Sequence, residues 1–267
     1  MKTIKRYIER LTKSAAKNTA QSVALIAVVM MSALTLPATA QTLDKGAIGE
    51  IVRDYLLENP EVVRDALIEL DRREKEAEAV ALQQMVEDPQ SPLFSSEFQV
   101  VLGNPDGDVT LVEFFDYNCG YCKRAYSDLA RLLDEDENLR VVLKEFPVLG
   151  QPSAEAARVA VAVNKVAPEK YAEFHEKLLL GRGQANHASS MEAAIDVGVS
   201  KSDLEVVIGS DLVDKTVGEV YALAKSLGMT GTPSYVVGNE VVPGAIGYAA
   251  LKSKIDALRA CGETSCS

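Results

Sequence analysis

The stretch "FFDYNCGYCKRAY", residues 114–126, sets Cys119 and Cys122 three positions apart, between a run of β-formers and a run that reads as helix. Cysteines that merely fill space need no partner at that spacing, whereas a dithiol that opens and closes does. At a strand-to-helix junction the Cys119 sulfur faces unpaired helix N–H groups and the positive end of the dipole, which favours a thiolate. Lys123 and Arg124 add positive charge. Cys122, one turn further in, is shielded and placed to attack a mixed disulfide formed at Cys119. The same spacing also serves a zinc or copper half-site. A closed zinc site needs four ligands, which Cys261 and Cys266 complete only if the C-terminus folds back, and His175 and His187 lack ligand spacing.

Outward from the dithiol, residues 109–115 read as a buried strand, 119–134 as a helix and 139–146 as a second β-rich strand, which together make a βαβ unit. A short strand at 98–102 and the turn "GNPDGD" precede them. Helical patterns follow at 153–166, 168–180, 191–197, 201–208 and 212–227. Strands return in "SYVV" and "EVVP", which flank Gly238 and Asn239, a two-residue hairpin signal, and a helix over 248–260 closes the domain. The segment "TGTPSYVVG" sets Thr232 and Pro233 immediately before a strand, and proline is tolerated at a strand start because no ladder donor is needed there. Toward the N-terminus, 43–87 is charged and helical, broken by Asn59–Pro60 into two helices, and "EDPQSP" reads as a linker. Val63, Leu67, Leu70, Ala77 and Ala81 recur at four- and three-residue steps, interrupted at Glu74. That pattern suits a short oligomerisation helix or a helix packed on its own chain.

At 267 residues the chain has room for a sizeable core, and 47% hydrophobic with 25% charged residues places it among globular proteins. Six basic residues precede the uncharged 15-residue run "SVALIAVVMMSALTL" and then "ATAQ". The run falls short of the ~20 residues of a spanning helix and reads as an export signal cleaved after Ala40. Cleavage leaves 22 basic against 38 acidic residues, a net charge of −16, which disfavours nucleic acid as a partner. Export leaves thiols paired, metal-bound or actively reduced. Four cysteines allow three pairings; proximity favours Cys119 with Cys122 and Cys261 with Cys266. His175 in "YAEFHEKLL" and the acidic run "DEDE" at 134–137 read as a structural histidine and a solvated helix end.

The ordered set over about 96–260, "CGYC" at a helix start, a helical insertion, "GTP" before a strand, a hairpin and a terminal helix, resembles the thioredoxin superfamily and more closely its DsbA-like branch of exported thiol-disulfide oxidoreductases. The resemblance implies an α/β thioredoxin fold with a helical insertion at about 153–227. It also implies a cis Pro233 that, with Thr232, packs against the dithiol and shapes the substrate groove. Glu113 and Lys144 are charges lodged in apolar strands, where mutual pairing is the economical arrangement unless both reach solvent at strand edges. Family members carry such a pair beneath the dithiol as a proton relay to the inner thiol, here Cys122.

The segment "IGEIVRDYLLENPEVVRDALIELDRREKEAE" is similar to the helical N-terminal region of ScsC-like copper-sensitivity suppressors, which implies a homo-trimer or, second, a dimer. The expected organisation is a signal at 1–40, an all-helical oligomerisation module at 41–88, a DsbA-like domain at 89–260 and a cysteine-containing tail at 261–267 with its own disulfide. "CGYC" with Thr232 before the proline resembles disulfide isomerases, because Gly120 and Tyr121 set the donors and charge near Cys119 and so the redox poise. The resemblance implies an isomerase or reductase of the periplasm acting on misfolded or thiol-bearing exported proteins. It needs no organic cofactor and is kept reduced by a membrane thiol reductant. The alternatives are a dithiol oxidase recharged by a quinone-linked oxidant and a protein holding Cu(I) between Cys119 and Cys122.

Overall fold

The computed structural model describes residues 44–97 and 99–266. The expected export signal over 1–40 lies outside the described residues, as does residue 98 at the start of the expected first strand.

The β-formers before Cys119 become β2 (Val109–Phe115), with all but Thr110 buried. A strand covered on both sides needs such a continuous apolar run. α3 (Gly120–Glu135) then crosses over to β3 (Leu139–Glu145), which pairs parallel with β2. The crossover holds because α3 buries Cys122, Ala125, Leu129 and Leu132, spaced three and four apart on one face. β1 (Val100–Gly103) runs antiparallel to β3, and β4 (Ser234–Val237) runs antiparallel to β2. β5 (Glu240–Pro243) closes a hairpin with β4 at Gly238 and Asn239, and Gly238 takes φ +53°, open to a residue without Cβ. The sheet order is β1-β3-β2-β4-β5.

Period-two alternation splits the sheet's side chains between two cores. Leu111, Phe115, Val141, Leu143 and Tyr235 join Cys122 and Leu129 of α3 on one side; Val112, Phe114, Val142 and Val236 lie on the other. Between β3 and β4 the insertion comprises α4 (Gln151–Val166), a 3-10 turn (Pro168–Lys170), α5 (Tyr171–Leu180), α6 (His187–Asp196), α7 (Lys201–Ile208) and α8 (Asp211–Ser226). α4 is its axis: residues 159–163 are all buried Val or Ala, as an enclosed helix requires. α5 brings Tyr171 and Phe174 to the first core, and α8 brings Val220, Leu223 and Ala224 to the second. α9 (Tyr248–Cys261) ends in a disulfide between Cys261 and Cys266, both exposed. Asp136, expected as solvated, is bound instead: Arg259 of α9 reaches it at 2.6 Å and Asp108 at 2.8 Å.

N-terminal to the sheet lie α1 (Lys45–Glu58) and α2 (Glu61–Glu87). Chain contacts divide the molecule into two units between Asp65 and Ala66, inside α2 and not near the expected boundary at 88. The physical reason is that α2 from Ala66 onward belongs to the second unit, anchored there by its last turns. Leu82 is buried in the second core, with Met85 and Val86 packed against it. In the first unit α1 buries nothing, and Ile48, Ile51, Val52, Tyr55 and Leu57 are exposed. Among the described residues no helix is long and apolar enough to cross a membrane.

Candidate active site

Cys119 is the N-cap residue of α3, in extended conformation, and its carbonyl accepts the Lys123 N–H at 3.0 Å. Its own N–H donates to the Asp116 carbonyl at 3.0 Å, so a tight turn delivers the sulfur from β2 to the helix end. The Thr232–Pro233 peptide is cis, and the Cys119 thiol donates to the Thr232 carbonyl at 3.1 Å. This loop is itself pinned, since Gly244 N–H donates to the Pro233 carbonyl at 2.8 Å and the Ser234 hydroxyl to the Gly231 carbonyl at 2.7 Å. Cys119 and Cys122 are both free thiols. They differ in access: Cys119 is 6% exposed and Cys122 only 1%. Burial pushes the Cys122 thiol well up, and the Glu113 carboxylate pushes it further. The inner thiol is thus held protonated beneath the outer one, a division of labour that suits an attacking and a resolving sulfur.

Glu113 and Lys144 are not brought together. The parallel register sets Lys144 opposite Phe114 and Glu113 opposite Leu143, so the two side chains leave the sheet on opposite faces. Glu113 lies on the dithiol side, opposite Tyr235 of β4, and burial raises its carboxyl to about 8. Lys144 donates instead to the Pro92 carbonyl at 2.6 Å and to Gln99 Oε1 at 3.3 Å, and burial, with Arg140 nearby, lowers it to about 8. The carbonyl is the direct partner of the ammonium, and the carboxylate that attracts it is Glu219 of α8 and not Glu113.

Two buried networks brace the site. The Asp116 carboxylate, 1% exposed, accepts from Asn118 N–H at 2.8 Å, the Ser153 hydroxyl at 2.8 Å and Leu149 N–H at 3.0 Å. Asn118 in turn donates to the Ala185 carbonyl at 2.8 Å and accepts the Ala185 N–H at 2.8 Å. The approach to Cys119 is therefore tied to α4 and to the loop before α6. The second network centres on Glu145, which accepts from Tyr171 at 2.6 Å and Tyr117 at 3.3 Å. Tyr117 also meets His175 Nδ1 at 3.1 Å. Burial raises Glu145 to about 8 and pushes His175 down to about 3, so His175 is a neutral ring stacked on Tyr171. The signal for Asp116 in the sequence was an acid lodged between aromatics in "FFDYNC".

Tyr121, between the cysteines, is 62% exposed, with the Arg124 guanidinium 4.3 Å from its ring centroid. A cleft of about 620 Å³ opens beside it, lined by Tyr121, Thr232, Pro233 and Val241, and walled on one side by Lys75, Glu78 and Leu82 of α2. Among the described residues no group of three or more His, Cys, Asp or Glu side chains is placed to hold a metal ion.

A free dithiol at a strand-to-helix junction, facing a cis-proline loop in a mixed five-stranded sheet, defines a thioredoxin-fold thiol-disulfide oxidoreductase. Residues 110–256, more than half of the chain, match the DSBA-like thioredoxin domain, and the chain belongs to that family, in which a redox-active cysteine pair works without a cofactor. Residues 44–77 match the copper resistance protein ScsC N-terminal domain. A thioredoxin-like oxidoreductase from Silicibacter pomeroyi is 41% identical, with a TM-score of 0.60 over 63% of this chain and 96% of its own. A linker-deletion mutant of Proteus mirabilis ScsC that also carries a point substitution is 25% identical, with a TM-score of 0.62 over 84% of this chain and 99% of its own. Disulfide bond formation protein D of Bacillus subtilis is 26% identical over 59% of this chain and 76% of its own length.

Proposed function

We propose that this oxidoreductase is exported to the periplasm, self-associates through its N-terminal helices, and acts there mainly as a disulfide isomerase and reductase. The supporting observation is the Cys119 sulfur at a helix N-terminus, 3.1 Å from the Thr232 carbonyl, with Cys122 buried beneath it. The Cys119 thiolate attacks one sulfur of a substrate disulfide; that S–S bond breaks, a mixed disulfide forms and one substrate thiolate leaves. If the freed thiolate then attacks a different substrate sulfur and the chain of exchanges returns to Cys119, the enzyme leaves as thiolate with no net electrons moved. If Cys122 loses its proton and attacks Cys119 first, substrate departs with two thiols and the enzyme keeps a Cys119–Cys122 disulfide. Glu113, uncharged near neutral pH and on the same side of the sheet, is the group suited to exchange that proton. The reductase branch requires a membrane thiol reductant to restore the pair. "CGYC" and Thr232 favour this direction, and several sites in one oligomer raise the effective concentration of thiolate around one misfolded substrate.

Thiol trapping in the native compartment tests the direction, in a Cys261→Ser, Cys266→Ser background so that only the active pair is read. A mainly reduced pair is expected; a mainly oxidised pair makes the protein an oxidase instead. The match to a copper resistance protein's N-terminal domain motivates a second reading, Cu(I) held by the two sulfurs. That reading requires stoichiometric Cu(I) binding lost in Cys119→Ser and not displaced by substrate peptide.

A further inference from the structure

The second half of α2 does more than cover apolar surface. Leu82 anchors it in the core, and one turn earlier Glu78 points into the cleft beside the dithiol. Its carboxylate sits over Gly228, at the end of α8: a Cβ there would collide with the Glu78 carboxyl group, so only glycine, which also takes φ +63°, admits the side chain so close. The nearest cation on α2, Lys75, is engaged by Asp71 at 2.8 Å. No cation binds Glu78 among the described residues. The cleft therefore joins the main chain of the Thr232 loop, the exposed Tyr121 ring and a carboxylate in no ion pair, which shares its wall with Lys75, an ammonium already bound by Asp71 and only in through-space attraction to Glu78.

We propose that Glu78 is a specificity-determining residue, and that the cleft takes an extended segment of the substrate protein carrying a cationic side chain close to its reacting cysteine. The inference rests on the oxidoreductase reading above and adds to it a preference among substrates that comes from the N-terminal helix and not from the thioredoxin domain proper. An extended segment suits the space because β-strand spacing carries alternate side chains to one wall, and a guanidinium suits the wall because it pairs with a carboxylate in a fixed fork geometry.

The test uses the reduced full chain and synthetic peptide homodisulfides in which a single Arg or Glu is walked through the three positions on either side of the cysteine. Exchange is quenched with acid and followed by mass spectrometry at low salt, where an exposed pair is least screened. At one or more positions the Arg peptide is expected to react about fivefold faster than the Glu peptide, the size of one good solvent-edge ion pair. Glu78→Gln should bring that ratio close to one, and Glu78→Lys should invert it. Measurable exchange with the same ratio in all three proteins overturns the assignment of Glu78. Absence of exchange with every peptide overturns the dithiol reading beneath it.

Discussion

Asp116 carries three donors on one buried carboxylate, and one of them, the buried Ser153 hydroxyl, belongs to the insertion. Removing the acceptor leaves those donors without a partner, which costs more than the bonds are worth when intact. Asp116→Ala is therefore expected to lower the unfolding free energy by about 3 kcal/mol, read by urea denaturation of the reduced protein, while Asp116→Asn, which keeps an acceptor oxygen, loses less. An equal loss in both variants would assign the effect to charge and not to hydrogen-bond geometry.

Protonation at the residue scale has a sign that can be worked out. Glu113 and Glu145, both raised to about 8, hold protons in the folded chain that the unfolded chain has already released. Stability contributed this way is complete below the ordinary carboxylate value and is lost as pH rises through about 8. His175, pushed down from 6.5 to about 3, acts in the opposite sense only below 6.5. Between pH 6.5 and about 8 the two carboxyls act in the same direction, and stability should fall with rising pH. Glu113→Gln is expected to make that decline roughly half as steep, measured as urea midpoints of reduced protein across the window; an unchanged slope would mean that Glu113 does not titrate there.

At the scale of elements, most of the architecture was written in local patterns. β2, the β4–β5 hairpin and α9 fall within a residue or so of where periodicity and turn chemistry placed them, because each is fixed by its own burial pattern. The site's covalent core was equally legible, since "CGYC" announces its chemistry by spacing. What was not legible depended on register and on long-range contact. Whether Glu113 faces Lys144 is decided by how β2 aligns with β3, which neither strand specifies alone, and the Pro92 carbonyl that satisfies Lys144 lies 52 residues away. Asp136 looked solvated because Arg259 is distant in sequence. The division in contacts was not legible for a related reason: "EDPQSP" is a break in composition, whereas contacts divide inside a continuous helix whose far end is buried.

At the scale of the molecule, α1 presents apolar side chains that the first unit does not bury, Ile51 at 63% exposure among them, and in the second unit α2 leaves Leu67 60% exposed. Lone exposed apolar residues need no explanation, but five on the 14 residues of α1 do. If these exposed helical side chains hold copies together, Ile51→Lys with Leu67→Lys should reduce the mass measured by light scattering to that of one chain, while the dithiol still exchanges with a small neutral disulfide. A wild-type protein that is already monomeric at micromolar concentration would refute self-association through these helices.

The opposite placement of Glu113 and Lys144 has a further consequence. The sheet works as a partition, with the sulfur chemistry and its proton store on one side, and on the other a lysine tied to the segment that follows α2. Adjacent strand positions thus address separate compartments, and a substitution in one has little route to the other. The proton held at Glu113 and the tether of Lys144 to Pro92 can drift, or be engineered, one at a time, whereas α2 itself still meets the dithiol side at the cleft beside Tyr121.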